Sequence, residues 1–286
     1  MKSDSDHLLQ IPLTLSSREQ GFPHQKTVSL LGVRFFSGSF QQALEALTEG
    51  EQCGLVVFPS GPGLARDLWI DEEYRLAVQM ADMAFTDSGA MVLLWRILSG
   101  QRIFRHSGLK TLTEMLRQPV FCQKGATFWV MPSLAQQDIG LQWLRETAAL
   151  PISEEDCYCA PVYAPGSVED PELLEILKKR HPRFVILCIG GGVQERLGYF
   201  LRNGLGKTTS ILCTGAAIGF LSGTQARIPK WADTLFLGWL LRCINNPKIF
   251  VPRYFRSLCL IKVMFLYWLY GRVPIPMAPQ NKETNG

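Results

Sequence analysis

Short apolar runs, each ending in a turn and followed by a segment of helical period, recur along the whole chain. Residues 28–36 (VSLLGVRFF) predict an opening strand, and residues 40–48 an amphipathic helix. Residues 55–58 predict a short strand ending at the turn-forming PSGPG of 59–63. Residues 64–81 predict a helix broken near 69–71, and 83–86 a strand closed by Asp87-Ser88-Gly89. Helices follow at 90–98 and 109–117. A strand at 127–131 ends in Pro132, after which Ser133 is placed to N-cap a helix reaching 150. A strand at 157–162 turns at APGS, and a helix over 171–180 stops at His181-Pro182. Two strand–glycine–helix units come next, FVILCIGGGVQERLGYF (184–200) and ILCTGAAIGFLSGTQARIPKW (211–231). A helix over 230–244 and a helical tail complete the pattern.

This alternation predicts an α/β fold, a Rossmann-like and mainly parallel sheet with helices on both faces. An apolar run closing on glycine reads as a buried parallel strand with a turn that suits phosphate. Two such units in series predict one cleft at the carboxyl ends of adjacent strands. No repeat or low-complexity segment interrupts the chain. The expected organisation is an irregular extension over 1–27, a Rossmann-like domain over 28–244 and a basic, aromatic appendage over 245–286 that lies close to a membrane.

Composition agrees with a folded core: 286 residues are 47% hydrophobic and 19% charged. The net charge of +4 is too mild to indicate nucleic acid. Its distribution is more informative. No Asp or Glu occurs from 234 to 282, whereas Arg242, Lys248, Arg253, Arg256, Lys262, Arg272 and Lys282 all fall there among many aromatic residues. Cations interleaved with aromatics suit an anionic membrane surface, and the segment is greasier than a phosphate-tracking stripe for nucleic acid. A helix packed on the protein's own core and an oligomer interface are the other readings. The apolar run at 257–270 contains Lys262 and is shorter than the roughly 20 residues needed to span a bilayer. The first residues lack the basic-then-apolar pattern of a signal peptide. The eight cysteines are scattered without a CxxC pair, which predicts buried thiols in a reducing cytosol rather than a zinc or disulfide framework. The four histidines show no metal-ligand spacing, so no metal is expected.

Several residues can carry chemistry. Asp87, just past a predicted strand, can act as general base toward a sugar hydroxyl. It can equally cap the helix that follows, and taken alone the sequence favours the cap. Gly190, Gly191 and Gly192 form a tight turn that is not GxGxxG, because Glu195 stands where the third glycine belongs. Gln194 and Glu195 can hydrogen-bond a base or ribose, or Glu195 can complement the positive helix end. Gly215 and Ala216 either let a backbone approach a ligand or let a helix pack close to the sheet. Arg227 and Lys230, beside a proline turn, can hold a diphosphate or form a solvated basic loop.

The ordered set resembles the WecG/TagA/CpsF family of bacterial glycosyltransferases from about residue 28 to 254. The firmest part is GAAIGFLSGTQARIPKWADTLFLGWLLR followed by NPKIFVPRYF. Gln194-Glu195 stand where the family has its Gln-Glu pair, residues 71–92 are similar to its helix and strand leading to Asp-Gly, and Gly108 fits a downstream glycine. The resemblance implies transfer of a sugar from a UDP-sugar to a polyprenyl-diphosphate-linked sugar, in the synthesis of surface polysaccharide or exopolysaccharide. It implies an inverting reaction with Asp87 as base and no cofactor. The donor would lie against Ser60, Gly190, Gly191, Gln194, Glu195, Gly215 and Ala216, with the helix N-termini after both glycine turns meeting its phosphates. Arg227, Arg242, Arg253 and Arg256 would gather the acceptor diphosphate. The enzyme would be cytoplasmic and peripheral to the inner face of the plasma membrane. Related proteins can form oligomers, so a homo-oligomer is one possibility, and no feature here sets a number.

The chain departs from the family pattern at named positions. Pro59-Ser60-Gly61-Pro62 replaces Thr-x-Asn-Pro, Asp87-Ser88-Gly89 replaces Asp-Gly, and Lys110 stands at a usually acidic position. Ile218-Gly219-Phe220, Gly238-Trp239 and Asn246-Pro247 likewise lack the usual acid. These changes motivate an alternative, a catalytically degenerate member that binds and scaffolds a polysaccharide assembly complex. A dinucleotide-dependent oxidoreductase is a third reading, opposed by the missing GxGxxG and the lack of an early glycine unit with a ribose-binding acid.

Overall fold

A computed structural model describes residues 27–49, 52–164, 166, 168–224 and 258–271, with single positions at 244, 248 and 251. The opening apolar run is not one strand. β1 (Thr27–Leu30) and β2 (Val33–Phe36) form an antiparallel hairpin with Thr27 opposite Phe36. Leu31 and Gly32 turn the chain with φ of 56° and 77°. Two successive positive φ values are the geometry of the tightest hairpin turns.

The remaining strands are β3 (Leu55–Val57), β4 (Met83–Ala84), β5 (Thr127–Met131), β6 (Cys157–Cys159), β7 (Phe184–Leu187) and β8 (Ser210–Cys213). They form one eight-stranded sheet in the order β1-β2-β4-β3-β8-β7-β5-β6, parallel throughout except for the β1–β2 pair. The predicted α/β class and mainly parallel sheet are therefore observed. Early and late strands meet where β3 pairs with β8, Val57 beside Cys213.

Helices cover both faces. α1 (Phe40–Thr48) begins with a reciprocal cap in which the Ser39 hydroxyl accepts the Gln42 N–H and the Gln42 side chain accepts the Ser39 N–H. The segment expected as one broken helix is a π-helical turn (Gly63–Asp67), a short α2 (Leu68–Ile70) and α3 (Glu72–Gln79), which Asp71 caps through the Tyr74 N–H. Next come α4 (Gly89–Ser99), α5 (Gly108–Met115) and α6 (Leu134–Glu146), the last capped by Ser133 as expected. α7 (Pro171–Arg180), α8 (Val193–Leu205), α9 (Ala217–Ser222) and α10 (Cys259–Tyr270) complete the described set. The expected helix over 230–244 lies outside the described residues, apart from position 244.

Alternation along each strand divides the core in two. Leu55, Val57, Val185, Leu187, Phe128 and Val130 point to the side that α3, α8 and α10 cover. Val56, Phe184, Ile186, Trp129 and Met131 point to the side of α1, α5 and α6. Both sets are buried, so parallel strands read as continuous apolar runs rather than as alternating ones. At the edge opposite the strands' carboxyl ends, Asp82 ties the sheet to α8. Its carboxylate accepts the Leu55 N–H at 2.9 Å and pairs with Arg202 at 2.8 Å and Lys207 at 3.1 Å.

Candidate active site

The carboxyl ends of β4, β3, β8 and β7 stand side by side. The segments leaving them carry, in that order, Asp87, Ser60, Gly215 with Ala216, and Gly190 to Gly192 with Gln194 and Glu195 on the first turn of α8. Candidates spread over more than a hundred residues of sequence are thus gathered at one sheet edge, where open α/β sheets take ligands.

Asp87 does not cap the helix after it. Ser88 does so, accepting the Met91 N–H, and this corrects the reading favoured from sequence. The Asp87 carboxylate instead accepts the N–H of Gly108 at 3.2 Å, on the first turn of α5. Ser107 precedes that helix without a side-chain cap, so Asp87 meets one of its unpaired N–H groups from another loop. Gly108 brings α5 close, because a Cβ there would lie 3.3 Å from the Phe58 ring.

The segment from Phe104 to Gly108 holds the Asp87 loop along its length. The Thr86 hydroxyl donates to the Phe104 carbonyl, the His106 N–H donates to the Thr86 carbonyl at 3.1 Å, and Arg105 Nε donates to the Asp87 carbonyl at 2.9 Å. His106 anchors the segment. It is fully buried, its Nε2 lies 3.1 Å from the Gly38 carbonyl, and its ring sits among Phe36, Phe40 and Phe85. Burial pushes its pKa down to about 4, against the Gly38 hydrogen bond and with help from the Lys110 charge. The folded protein therefore holds a neutral imidazole where the unfolded chain would bind a proton between pH 6.5 and 4. Stability is fully present above that window and falls by about 3 kcal/mol as pH drops through it. His106→Gln should flatten this stretch of the stability-versus-pH curve in chemical denaturation. An unchanged slope would remove His106 as its source.

Ser60 lies in the loop after β3, which packs against the Asp87 loop. Its hydroxyl faces the Gly63 N–H at 3.4 Å, and its carbonyl accepts the Leu64 N–H. A Cβ on Gly61 would come within 3.2 Å of the Ser88 hydroxyl, and one on Gly63 within 2.3 Å of the Tyr74 hydroxyl. Tyr74 is buried, and burial together with the nearby Glu195 and Asp67 carboxyls raises its pKa well above the usual phenol range.

The two glycine turns are stitched to each other. Gly192, at φ 92°, donates its N–H to Glu195 Oε2 at 2.6 Å and so closes the first turn of α8. The Gln194 amide donates to Glu195 Oε1 and accepts the Gly215 N–H at 2.7 Å. Glu195 is buried, and desolvation raises its pKa although the Gly192 N–H and the Gln194 amide oppose the shift. Both side chains thus face protein partners, while Gly190 and Gly191 expose their backbone. Lys110 lies over the Phe40 ring at 4.2 Å to its centroid. Burial pushes the Cys53 thiol up to about 11 and the Cys157 thiol up to about 12, which leaves these two poor nucleophiles, whereas Cys122 and Cys259 are exposed and depart from the expectation of buried thiols. Among the described residues no group of three His, Cys, Asp or Glu side chains is arranged to hold a metal ion. The acceptor candidates Arg227, Arg242, Arg253 and Arg256 lie outside the described residues.

His106, Arg105 and Tyr74 were not singled out from the sequence as parts of the site. The first two belong to no motif and act through a loop some twenty residues away from Asp87. Tyr74 lies within the family-like stretch 71–92, which is a signal of position but not of role.

An acid and two glycine turns thus share the carboxyl edge of a mainly parallel sheet, and the fold is Rossmann-like. The chain belongs to the WecG/TagA/CpsF family of glycosyl transferases, whose family model matches residues 28–273. A comparison with curated proteins gives no match. Membership makes the protein a glycosyltransferase of polysaccharide synthesis, acting between a sugar donor and an acceptor.

Proposed function

We propose that the enzyme transfers a sugar from a UDP-sugar to a polyprenyl-diphosphate-linked acceptor at the inner membrane face, with inversion at the anomeric carbon. The observation that carries this reading is the placement of Asp87. Its loop is gripped by residues 104–108, and the glycine turns share its sheet edge. The Asp87 carboxylate takes the proton of the acceptor hydroxyl as the oxygen attacks the anomeric carbon. The bond to the nucleotide diphosphate breaks on the opposite face, and UDP leaves. Exposed backbone at Gly190 and Gly191 lies beside the departing phosphates. Arg227, Arg242, Arg253 and Arg256 gather the acceptor diphosphate. Turnover of a polyprenyl-diphosphate sugar with a panel of UDP-sugars tests the whole scheme, and inactivity on every pair removes it.

The loop after β3 supports a second reading. It lacks the Thr and Asn usual in the family, and the Ser60 hydroxyl already faces the Gly63 N–H. A degenerate, scaffolding member would bind UDP-sugar without turnover, which calorimetry on the active-site cleft distinguishes from an enzyme.

Gln194 gives a finer test. Its amide oxygen is a partner of the buried Gly215 N–H. Gln194→Ala unlinks the two glycine turns and should raise the donor KM about tenfold, the equivalent of one such hydrogen bond, with a smaller change in kcat. An unchanged KM would place the donor elsewhere.

A further inference from the structure

The helix that starts two residues after Asp87 has an apolar outer side. On α4, Leu93 is 48% exposed and Ile97 is 68% exposed, while Leu94 and Leu98 turn toward α10. α10 packs beside it through Trp95 and Tyr267, and buries Leu260, Val263 and Met264 in the core. Its other side presents Ile261, Phe265, Trp268 and Leu269, each about half exposed. Between the two helices runs a groove of about 430 Å³ lined by Leu94, Leu98, Leu258, Ile261, Lys262 and Phe265. The outer sides of both helices and the groove form one apolar strip.

The charges that α4, the loop after it and α10 carry share one sign. No Asp or Glu occurs from 88 to 113, whereas Arg96, Arg102, Arg105 and Lys110 do. α10 likewise carries Lys262 and no acid. Arg96, Arg102 and Lys262 are exposed. An apolar strip on two helices whose only charged side chains are cations complements anionic headgroups above acyl chains. Trp268 and Tyr270 suit the headgroup level. A second copy of this chain is a poorer occupant, because a two-fold contact would bring the same cations together. No helix among the described residues is long and apolar enough to cross a membrane, so contact would be along the surface.

We infer that α4 and α10 together form a face that docks on an anionic lipid surface, so that the helix opening beside Asp87 is itself a membrane contact. This rests on the membrane reading of the proposed function and extends it from the C-terminal appendage into the domain that carries the base. Docked in this way, the Asp87 edge lies near the bilayer, where the diphosphate of a lipid-linked acceptor sits.

Sedimentation of the full chain with vesicles of phosphatidylcholine, with and without phosphatidylglycerol, tests the inference. The wild type should sediment with the anionic vesicles. Leu93→Glu with Ile97→Glu should lower the partition coefficient by about tenfold or more, with thermal unfolding unchanged because both residues are exposed. Arg96→Gln with Arg102→Gln, a pair that leaves the apolar strip intact, should lower it roughly fivefold per charge at low salt and less at high salt. If both pairs sediment like the wild type while truncation at Ser257 abolishes binding, the appendage docks alone and this inference falls, though the membrane reading stands. If the wild type itself fails to sediment, the membrane reading fails and the inference with it. If Leu93→Glu with Ile97→Glu abolishes a concentration-dependent dimer and leaves vesicle binding unchanged, the face belongs to a second copy and the inference is overturned.

Discussion

Asp87→Asn is expected to lower kcat by about 10²–10⁴-fold, the range a positioned general base contributes, while the fold and donor binding persist. The geometry makes this substitution a clean one. The carboxylate oxygen near Gly108 accepts a backbone N–H, and an amide oxygen can accept the same bond. What Asn lacks is the ability to take a proton from the acceptor hydroxyl. Asp87→Ala removes the acceptor for Gly108 as well and should add about 1 kcal/mol of instability from an unpaired helix-end N–H. Turnover of the polyprenyl-diphosphate sugar, read beside thermal unfolding, separates the two effects. An Asp87→Asn enzyme as fast as wild type would mean that another group carries the proton.

The elements that could be read directly from the chain are those whose burial is local. β5 and β7 are continuous apolar runs because parallel strands in the sheet centre are covered on both faces. α7 announces itself by Asp170 before Pro171 and by the Lys178-Lys179-Arg180 run at its end. The opening hairpin was hidden because Leu31 and Gly32 extend the apolar run, and hydropathy carries no record of the sign of φ. Asp87 and Ser88 are both competent caps, and composition cannot choose between neighbours. The choice is made by Gly108, whose N–H reaches the Asp87 carboxylate across the loop packing of α5. The glycine turns were legible as turns. That Gln194 joins one to the other was not, because the pairing of β7 with β8 places Gly215 beside it. The same holds for His106: the histidines show no metal-ligand spacing, and only the folded chain shows His106 pinned to the Gly38 carbonyl beneath the Asp87 loop. The strand-end positions of the candidates are therefore visible in sequence, whereas the groups that hold them in place come from distant segments.

Asp82→Ala is expected to lose about 2–3 kcal/mol of stability, because the carboxylate is buried while its cationic partners are partly exposed. Its carboxylate is 5% exposed and has three partners, namely the Leu55 N–H, the Arg202 guanidinium and the Lys207 ammonium. Gly54 shows how tightly the site is built: φ is 68°, and a Cβ there would stand 2.2 Å from the Asp82 carboxylate. Removing the side chain leaves the buried Leu55 N–H without its acceptor and Arg202 without its counter-charge. Asp82→Asn should be milder, since its oxygen can still accept from Leu55. For a domain of this size the Ala variant should unfold on the order of 10 °C lower. Burial alone would raise the Asp82 carboxyl, yet the hydrogen bonds from Arg202, Leu55 and Lys207 outweigh it and hold the pKa below the ordinary 3.8. The contribution of Asp82 is thus fully present above pH 3.8 and is lost as pH falls below that value toward the folded pKa. His106 acts earlier, between 6.5 and 4, so the acid limb of the wild type should fall in two stages. Asp82→Ala should erase the lower stage and leave the upper one. Because the pair lies at the edge opposite Asp87, activity per folded molecule should change little. A variant that melts with the wild type would show that the ion pair is replaced by water at no net loss, and a variant that stays folded but inactive would tie this edge of the sheet to the site.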